Sequence, residues 1–399
     1  MLCRQYDQLA NSLATKAIYA YESTPTAYRP IGYPAFVGSI YYVLGYHRST
    51  VKLLQTLIDT GSSFLIFLLL AGHPARTRVF GAALWAFFAP AVFYSNLLLS
   101  ETIFTFLFVL VALILSRNDV GRTWWPVVLG VLLGILTLIK PTILVFVLVL
   151  PFLLRQLEIP LKKLYAIAIT TILVLSPWLV RNYLVFGEIA LSSNGGVNLM
   201  IGNNATSTGA YKYTFDPLLF HDSKGEFDVD HKALRYAASY IVSNPVASAF
   251  NAAKKIGRLF ESEGALLVMT FHDAPEDAST HYSSKYASVP LPWILLTNFS
   301  YFIIVLAAAF GFLSAAREEL WWILLAAFFS WLVVHAMFFG GGRFHFPLMP
   351  LLVAYAAQFL SDPMKRYKPL SRLKKSFAFT AFAAFCSLWL IEAYVVFYG

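Results

Sequence analysis

The stretch SPWLVRNYLVFGEIALSSNGGVNLMIGNNATSTG, residues 176–209, joins an apolar helix to the one long polar region of the chain. Hydrophobic segments follow one another with short loops before this stretch, whereas the next apolar run after it begins only at Pro290. Its segments 194–196 and 202–204 are rich in Asn and Gly, the composition of turns. The stretch therefore predicts a hinge between a membrane-embedded scaffold and an external segment that covers a site.

The composition of the chain is that of a membrane protein. Hydrophobic residues make up 58% of its 399 residues and charged residues only 13%, whereas a soluble domain has about 25% charged residues. Aromatic residues cluster near the ends of apolar runs, where interfacial belts form, as at Trp124–Trp125 and Trp321–Trp322. Because Cys386 lies inside an apolar run, we expect neither a structural disulfide with Cys3 nor a cysteine metal site.

Ten apolar runs are long enough, or nearly so, to cross a bilayer, which predicts an all-α polytopic membrane protein of about ten spans. These runs cover residues 51–71, 79–96, 102–116, 124–139, 141–154, 164–180, 291–314, 321–339, 346–361 and 377–397. The pair around Lys140–Pro141 is either two short spans or one broken hairpin. The run at 33–46 has only 14 residues, so we expect it to lie along the membrane surface.

The distribution of Lys and Arg predicts the orientation. Loop 362–376 carries six of these residues, which assigns it to the cytoplasm. Alternation along the chain then gives a multi-pass protein of a cell inner membrane whose active site faces the periplasmic, extracytoplasmic side. The chain divides into an extracytoplasmic loop with juxtamembrane helices (1–50), transmembrane helices (51–180), a large extracytoplasmic loop or small subdomain (181–290) and C-terminal transmembrane helices (291–399).

Two parts of the external regions show helical periodicity. Residues 229–260 are predicted to form two helices broken at Asn244–Pro245, because proline disfavours a helical conformation in the residue before it. The second of these helices carries Lys254, Lys255 and Arg258, and it either lies on the bilayer surface or is a solvated amphipathic helix. A shorter amphipathic helix is predicted at 5–15.

Three charged residues that the predicted topology places outside stand next to apolar segments. Glu101 begins an apolar run, where it either stabilises a helix N-terminus or polarises an acceptor hydroxyl. Lys140 precedes Pro141 and is either a snorkelling interfacial lysine or a cation for a lipid phosphate. Arg343 lies in FFGGGRFHFPLMP, where the glycines permit close backbone approach and the planar guanidinium suits phosphate.

Four further residues are candidates for the same face. Arg29 is brought to the interface by the rigid turn RPIGYP, and Arg181 either caps helix carbonyls or reaches a phosphate. His345 either assists Arg343 or packs at the interface, and Asp7 is either a solvated helix charge or a catalytic acid.

One acid and several cations on one membrane face, below a large loop, suit the handling of an anionic lipid. The cations hold a phosphate, and the acid activates the attacking group. The chain shows no Walker A motif, no HExxH and no dinucleotide-binding fingerprint, and nucleic acid is not an expected partner.

Six motifs in order resemble the GT-C superfamily of polytopic glycosyltransferases, in particular protein mannosyltransferases and aminoarabinose transferases (glycosyltransferase family 39-like). They span nearly the whole chain, and the ordered set is more specific than any one motif. The motifs are YDQLANSLA, RPIGYPAFVGSIYYVLGY, Ser100–Glu101, LTLIKPT, SPWLVRNYLVFG with SSNGGVNLMIGNN, and RFHFPLMPLL.

The resemblance implies a GT-C-type helix bundle and inverting transfer of a sugar from a polyprenyl-phosphate donor to a lipid, glycan or protein acceptor of the cell envelope. Matched by motif, Glu101 corresponds to the family's second acidic active-site position, where it orients the acceptor or a divalent metal such as Mg²⁺ or Mn²⁺. Lys140 corresponds to the basic residue that faces the lipid phosphate, and Arg343 to the basic residue before the Pro-x-x-Pro helix.

The chain departs from the family pattern at its beginning. The family's first span and its principal catalytic Asp precede the tyrosine that matches Tyr6, whereas residues 1–5 here contain no acid, and Asp7 does not align. We therefore expect the true start to lie upstream of Met1.

Two other functions remain open at this point. A transporter or flippase of a lipid-linked anionic substrate would place charges and broken helices at the bilayer centre, and Asp59 is a charged residue within a predicted span. An inactive, truncated GT-C protein is the third interpretation.

Overall fold

The computed structural model describes residues 2–117, 124–212, 217–272, 285–286 and 288–398. Within these ranges the chain forms eighteen α-helices and one antiparallel pair of two-residue strands. Arg122, and residues 213–216, 273–284 and 287 of the predicted external loop, lie outside the described residues. The all-α, polytopic fold class predicted from composition is confirmed.

The helices and strands have the following bounds. They are α1 (Leu2–Lys16), β1 (Ala20–Tyr21), β2 (Thr24–Pro25), α2 (Gly32–Leu44), α3 (Arg48–Leu69), α4 (Ala75–Ala86), α5 (Ala89–Ser95), α6 (Glu101–Arg117), α7 (Trp125–Ile139), α8 (Leu144–Gln156), α9 (Lys163–Phe186), α10 (Gly195–Gly202), α11 (Glu226–Ser243), α12 (Pro245–Leu259), α13 (Gly264–His272), α14 (Leu291–Ser314), α15 (Glu319–Met337), α16 (Met349–Ser361), α17 (Pro363–Tyr367) and α18 (Arg372–Tyr398). Single 3₁₀ turns lie at Pro141–Ile143, Pro217–Phe220, Gly342–Phe344 and Phe346–Leu348.

Each of the ten predicted apolar runs coincides with a helix or with a pair of helices. Six of the described helical segments are long and apolar enough to cross a membrane, or seven if the bent pair α4 and α5 counts as one span. The 52° bend of that pair falls where Pro90 opens α5. Helices α6, α7 and α8 have 17, 15 and 13 residues and are shorter than the ~20 residues that span a bilayer core.

Small residues bring the membrane helices into close contact. A Cβ atom added to Gly130 of α7 would lie 2.6 Å from the carbonyl oxygen of Ile167 in α9, and one added to Gly311 of α14 would collide with the carbonyl of Tyr355 in α16. Such close backbone approach is typical of helix packing inside membranes. The core of the bundle contains aliphatic and aromatic side chains, among them the fully buried Trp85 and Phe108.

The regions predicted to be external contain the helices α1, α2 and α10–α13, which form a layer over one end of the bundle that we call the external layer. Helix α2 has 13 residues, about 20 Å in length, and it packs on α1 and against the end of α7. Its length suits the predicted position along the membrane surface. The two helices predicted for residues 229–260 are confirmed as α11 and α12, and the break between them falls at Asn244–Pro245.

Candidate functional site

Glu101, Lys140 and Arg343 come together in one cluster, although they belong to three separate parts of the chain. The Nζ atom of Lys140 lies 2.8 Å from Oε1 of Glu101, and Nε of Arg343 lies 4.0 Å from the same oxygen. The side chain of Glu101 is only 2% exposed, whereas those of Lys140 and Arg343 keep 18% and 12% of their surface accessible. The cluster thus has a buried carboxylate beneath two partly accessible cations, with a net positive charge.

Glu101 is positioned by the start of α6. It is the first residue of that helix, where the partial positive charge of the N-terminus favours a carboxylate. The turn before it is held from α3, because the buried Gln55 amide donates hydrogen bonds to the carbonyl oxygens of Ser95 and Leu97, at 3.0 and 2.8 Å. The other carboxylate oxygen of Glu101, Oε2, accepts no hydrogen bond from any residue that the structure describes.

Lys140 is positioned by the end of α7. Its backbone is extended, with φ −143° and ψ 105°, because Pro141 disfavours a helical conformation in the residue before it. The chain then turns through Pro141–Ile143 into α8, so the lysine stands at the break between two apolar helices. Its Nζ atom also lies 5.4 Å from the ring centroid of Phe104 in α6.

Arg343 lies in the loop between α15 and α16, and the glycines of that loop let it pack against the external layer. A Cβ atom on Gly342 would lie 2.6 Å from the carbonyl oxygen of Ser262, and one on Gly340 would collide with the carbonyl of Lys255. The close approach predicted from these glycines is therefore made to the protein's own backbone. Trp331 fixes the far side of the loop by donating to the carbonyl of Phe344 at 2.8 Å.

A buried lysine ties the external layer to the same loop. Lys255 of α12 donates hydrogen bonds to Asn203 Oδ1 at 2.8 Å and to the carbonyl oxygens of Ala336 and Met337 at 3.1 and 3.0 Å, at the end of α15. Burial lowers the pKa of Lys255 to about 8. Sequence reasoning placed this lysine on a surface or solvated helix, since an amphipathic pattern does not reveal which lysine meets the end of another helix.

His345 is buried, and both of its ring nitrogens face protein groups. Nδ1 lies 2.8 Å from the carbonyl oxygen of Leu259, Nε2 lies 3.1 Å from Oε1 of Glu263, and the ring stacks on Tyr301 with centroids 4.4 Å apart. These contacts anchor the loop that carries Arg343 on its C-terminal side. These buried contacts indicate that His345 positions the loop that carries Arg343.

We expect His345→Ala to lower the free energy of unfolding by about 1–3 kcal/mol, because Glu263 and the Leu259 carbonyl lose their partner inside the protein. Thermal unfolding of the purified protein in detergent measures this change. The matched control is His231→Ala, an exposed histidine 4.0 Å from Glu188, for which we expect a change within about 0.5 kcal/mol. Equal unfolding midpoints for both variants would show that His345 does not anchor the loop.

Arg181 and Arg29 hold parts of the external layer. Arg181 donates to the carbonyl oxygens of Thr26 and Tyr19, at 2.9 and 3.0 Å, so it caps carbonyls of the β1–β2 region and not those of its own helix. The guanidinium of Arg29 donates twice to Oε1 of Gln5, at 3.1 and 3.0 Å.

Asp7 joins α1 to the region of α2 and α3. It accepts hydrogen bonds from the hydroxyls of Tyr41 and Tyr46, at 2.7 and 2.6 Å, and pairs with Arg48. Burial disfavours the charged carboxylate, but the hydrogen bonds from Arg48, Tyr46 and Tyr41 outweigh it and hold the pKa of Asp7 below its usual value. This network accounts for the buried position of the carboxylate.

Tyr6 lies near the cluster. In the sequence it belongs to the first of the six motifs, but it was not predicted to be a site residue. Burial raises the pKa of its hydroxyl, while the charges of Arg29 and Arg343 oppose the rise and that of Glu101 adds to it. Tyr6 therefore lies within electrostatic range of the cluster. Its position in the first motif, shortly before Asp7, is the one signal in the sequence that points to it.

Among the described residues, Glu101 is the one carboxylate of the cluster that could bind a divalent metal. Among the residues that the structure describes, no group of three or more His, Cys, Asp or Glu side chains is arranged to hold a metal ion. Mg²⁺ and Mn²⁺ prefer several oxygen ligands, whereas the nearest charged neighbours of this carboxylate are two cations.

Comparison with known proteins shows likeness at the level of structure. No protein-family model and no curated protein matches the chain. The apo crystal structure of the oligosaccharyltransferase of Archaeoglobus fulgidus is similar, with 15% identity and a TM-score of 0.45 over 96% of this chain and 50% of that one. The same enzyme tethered to an acceptor peptide with an NVT sequon has 15% identity and a TM-score of 0.43, over 98% and 50% of the two chains.

Apo ArnT from Cupriavidus metallidurans is also similar, with 13% identity and a TM-score of 0.41 over 89% of this chain and 72% of that one. The chain spans about half the length of the oligosaccharyltransferase structures that it matches. Within the described residues, the fold is an all-α bundle of membrane helices with a layer of short helices over one end.

Proposed function

We propose that the chain is a membrane glycosyltransferase of the GT-C type, which transfers a sugar from a polyprenyl-phosphate-linked donor to a lipid, glycan or protein acceptor. The observation that carries the proposal is the convergence of Glu101, Lys140 and Arg343 in one cluster. The ordered motifs that resemble this superfamily include all three residues.

The charges of the cluster favour a phosphate as the group bound there. Lys140 and Arg343 are partly accessible, while Glu101 is shielded, so an approaching ligand meets positive charge first. A guanidinium binds two phosphate oxygens through its planar fork, and an ammonium acts as a compact point charge. In a site with little water these charge-assisted hydrogen bonds are stronger than in bulk solvent.

The reaction proposed for this site is a direct displacement. An acceptor hydroxyl attacks the anomeric carbon of the donor sugar, the bond from that carbon to the phosphate oxygen breaks, and the phosphate leaves with the bonding electrons. Lys140 and Arg343 stabilise the charge that develops on the leaving phosphate. Glu101 orients the acceptor hydroxyl, which must reach the buried Oε2 oxygen to donate a hydrogen bond to it, and the hydroxyl proton passes to this carboxylate or to the departing phosphate.

The position of the charges favours an enzyme over a transporter. Glu101, Lys140 and Arg343 lie at helix ends and in a loop, on the face opposite the basic loop 362–376, which by the distribution of Lys and Arg is extracytoplasmic. A lipid transporter is favoured by one observation, the carboxylate of Asp59 inside α3, which accepts a hydrogen bond from Trp85 at 3.2 Å.

A reconstituted assay separates the two functions. Proteoliposomes that contain the purified chain receive radiolabelled polyprenyl-phosphate sugar and a membrane acceptor fraction, and both sugar transfer and movement of the lipid across the bilayer are measured. The proposal expects transfer that depends on Arg343, with no lipid movement above that of empty liposomes. Lipid movement without transfer would establish the transporter.

A further inference from the structure

A second charged cavity lies at the other end of the bundle from the Glu101 cluster. It has a volume of about 400 Å³ and is enclosed by the ends of α3 and α6, the loop before α15, and helices α16 and α17. Helix α6 begins at Glu101 and ends at Arg117, which lines this cavity. Because 17 residues of helix extend about 25 Å, the two sites lie about that far apart, at opposite ends of α6.

The rim of the cavity carries charges of both signs. Arg117 and Arg366 supply two cations, and Glu318 and Glu319 supply two carboxylates. Within the described part of the chain, no hydrogen bond and no ion pair within 4 Å joins these four charged groups to one another or to other residues. The protein thus places opposite charges around one opening without a direct ion pair between them.

Two largely buried polar side chains also line the cavity and form what we call its floor. Tyr355 is 2% exposed and Gln358 is 4% exposed, and both line the cavity. In the ranges that the structure covers, neither the Tyr355 hydroxyl nor the Gln358 amide makes a hydrogen bond. Because buried polar groups are normally hydrogen-bonded, these two side chains are prepared to bind a polar group that enters the cavity.

The remaining wall of the cavity combines apolar and charged side chains, as a binding site for a lipid headgroup requires. Leu68, Leu69 and Leu320 form an apolar side next to the charged rim. His73 also lines the cavity, and burial together with the nearby Arg366 lowers the pKa of its imidazole, so the ring is neutral at pH 7. The fixed charges that face the cavity are therefore the two arginines and the two glutamates.

We propose that this cavity binds a zwitterionic group that joins a phosphate ester to a primary ammonium, the chemistry of a phosphoethanolamine headgroup. Arg117 and Arg366 hold the phosphate oxygens, and Glu318 and Glu319 accept hydrogen bonds from the ammonium. Gln358 and Tyr355 complete the polar contacts at the floor. The site is independent of sugar transfer, because none of its residues belongs to the Glu101 cluster.

Lipid binding by the purified protein tests this site. Native mass spectrometry in detergent measures the affinity for phosphatidylethanolamine, phosphatidylglycerol and phosphatidylcholine, which differ in the charge and methylation of the headgroup. We expect phosphatidylethanolamine to bind at least about tenfold more tightly than the other two, the effect of one charge-assisted hydrogen bond. A parallel titration with soluble phosphoethanolamine shows whether the natural ligand is a lipid or a free phosphate ester. Displacement of the bound lipid by an equal concentration of phosphoethanolamine indicates the free ester, and retention of the lipid indicates the lipid.

Two variants and one control test whether the charged residues of the rim determine the affinity for phosphatidylethanolamine. Arg366→Gln is expected to weaken phosphatidylethanolamine binding about tenfold, and Glu319→Gln to abolish the preference over phosphatidylglycerol. The control is Arg317→Gln. Arg317 lies in the loop before α15, its guanidinium packs 5.5 Å from the ring centroid of Trp321, and it does not line the cavity. Equal affinity of the wild-type protein for all three lipids, or unchanged binding in both rim variants, would overturn the proposal.

Discussion

Arg343→Ala is expected to reduce kcat/KM for sugar transfer by about 10²–10³-fold, the usual cost of removing one group that stabilises a developing anion. The guanidinium lies 4.0 Å from Glu101 and keeps 12% of its side chain accessible, so it is placed to meet a phosphate that docks on the cluster. The assay is transfer from a polyprenyl-phosphate sugar at varied donor concentration.

Two further variants show whether geometry or charge causes the loss. Arg343→Lys keeps the charge but loses the planar fork, so we expect an intermediate rate. Arg317→Ala removes an arginine that packs on Trp321 in the loop before α15 and should leave transfer unchanged. Wild-type transfer by Arg343→Ala would contradict the proposed role of the cluster.

Glu101→Gln is expected to impair both stability and transfer. The carboxylate is buried and lies 2.8 Å from the Lys140 ammonium, so its neutralisation leaves two cations close together without a counter-charge. Loss of one partner of a buried ion pair costs about 3–5 kcal/mol, and we expect transfer to fall at least about a hundredfold because the acceptor loses its orienting oxygen.

Thermal unfolding in detergent and the transfer assay measure the two effects separately. Glu158→Gln is the control, since this carboxylate is exposed in the loop between α8 and α9 and should change stability by less than about 0.5 kcal/mol. The variant Lys140→Met combined with Glu101→Gln removes both partners, and it should recover stability but not transfer. Recovery of transfer in the double variant would show that neither residue takes part in the reaction.

Much of the fold follows from the length and position of apolar runs. All ten runs coincide with helices, since a long apolar segment in a bilayer satisfies its backbone hydrogen bonds only in a helix or a closed sheet. The run at 33–46 has only 14 residues, too few for a span, and it forms the short helix α2. The break between α11 and α12 was predictable because Pro245 opens the second helix.

The candidate cluster was predictable for a different reason. Three isolated charges, Glu101, Lys140 and Arg343, stand at the ends of apolar segments that the predicted topology places on one face. Because few charged residues lie at such positions, each has few possible partners. Hydropathy alone did not show that a single carboxylate oxygen lies near both cations. That contact depends on how α6, α7 and the loop after α15 pack.

The supports of the cluster were not predictable from the sequence. Lys255 lies in an amphipathic pattern with two other basic residues, and only the tertiary structure shows that it is the buried one. Glu263 gave no signal because its partner, His345, is far away in the chain. The glycines before Arg343 predicted a close approach but not its partner, which is the backbone of α12 and of the residues after it.

The most direct test of the account is the affinity of the protein for polyprenyl phosphate without any sugar, measured by native mass spectrometry for the wild type and for Lys140→Ala combined with Arg343→Ala. We expect saturable binding by the wild type and a loss of affinity of about a hundredfold or more in the double variant, since two charge-assisted contacts are removed. Equal affinity of the two proteins would contradict it.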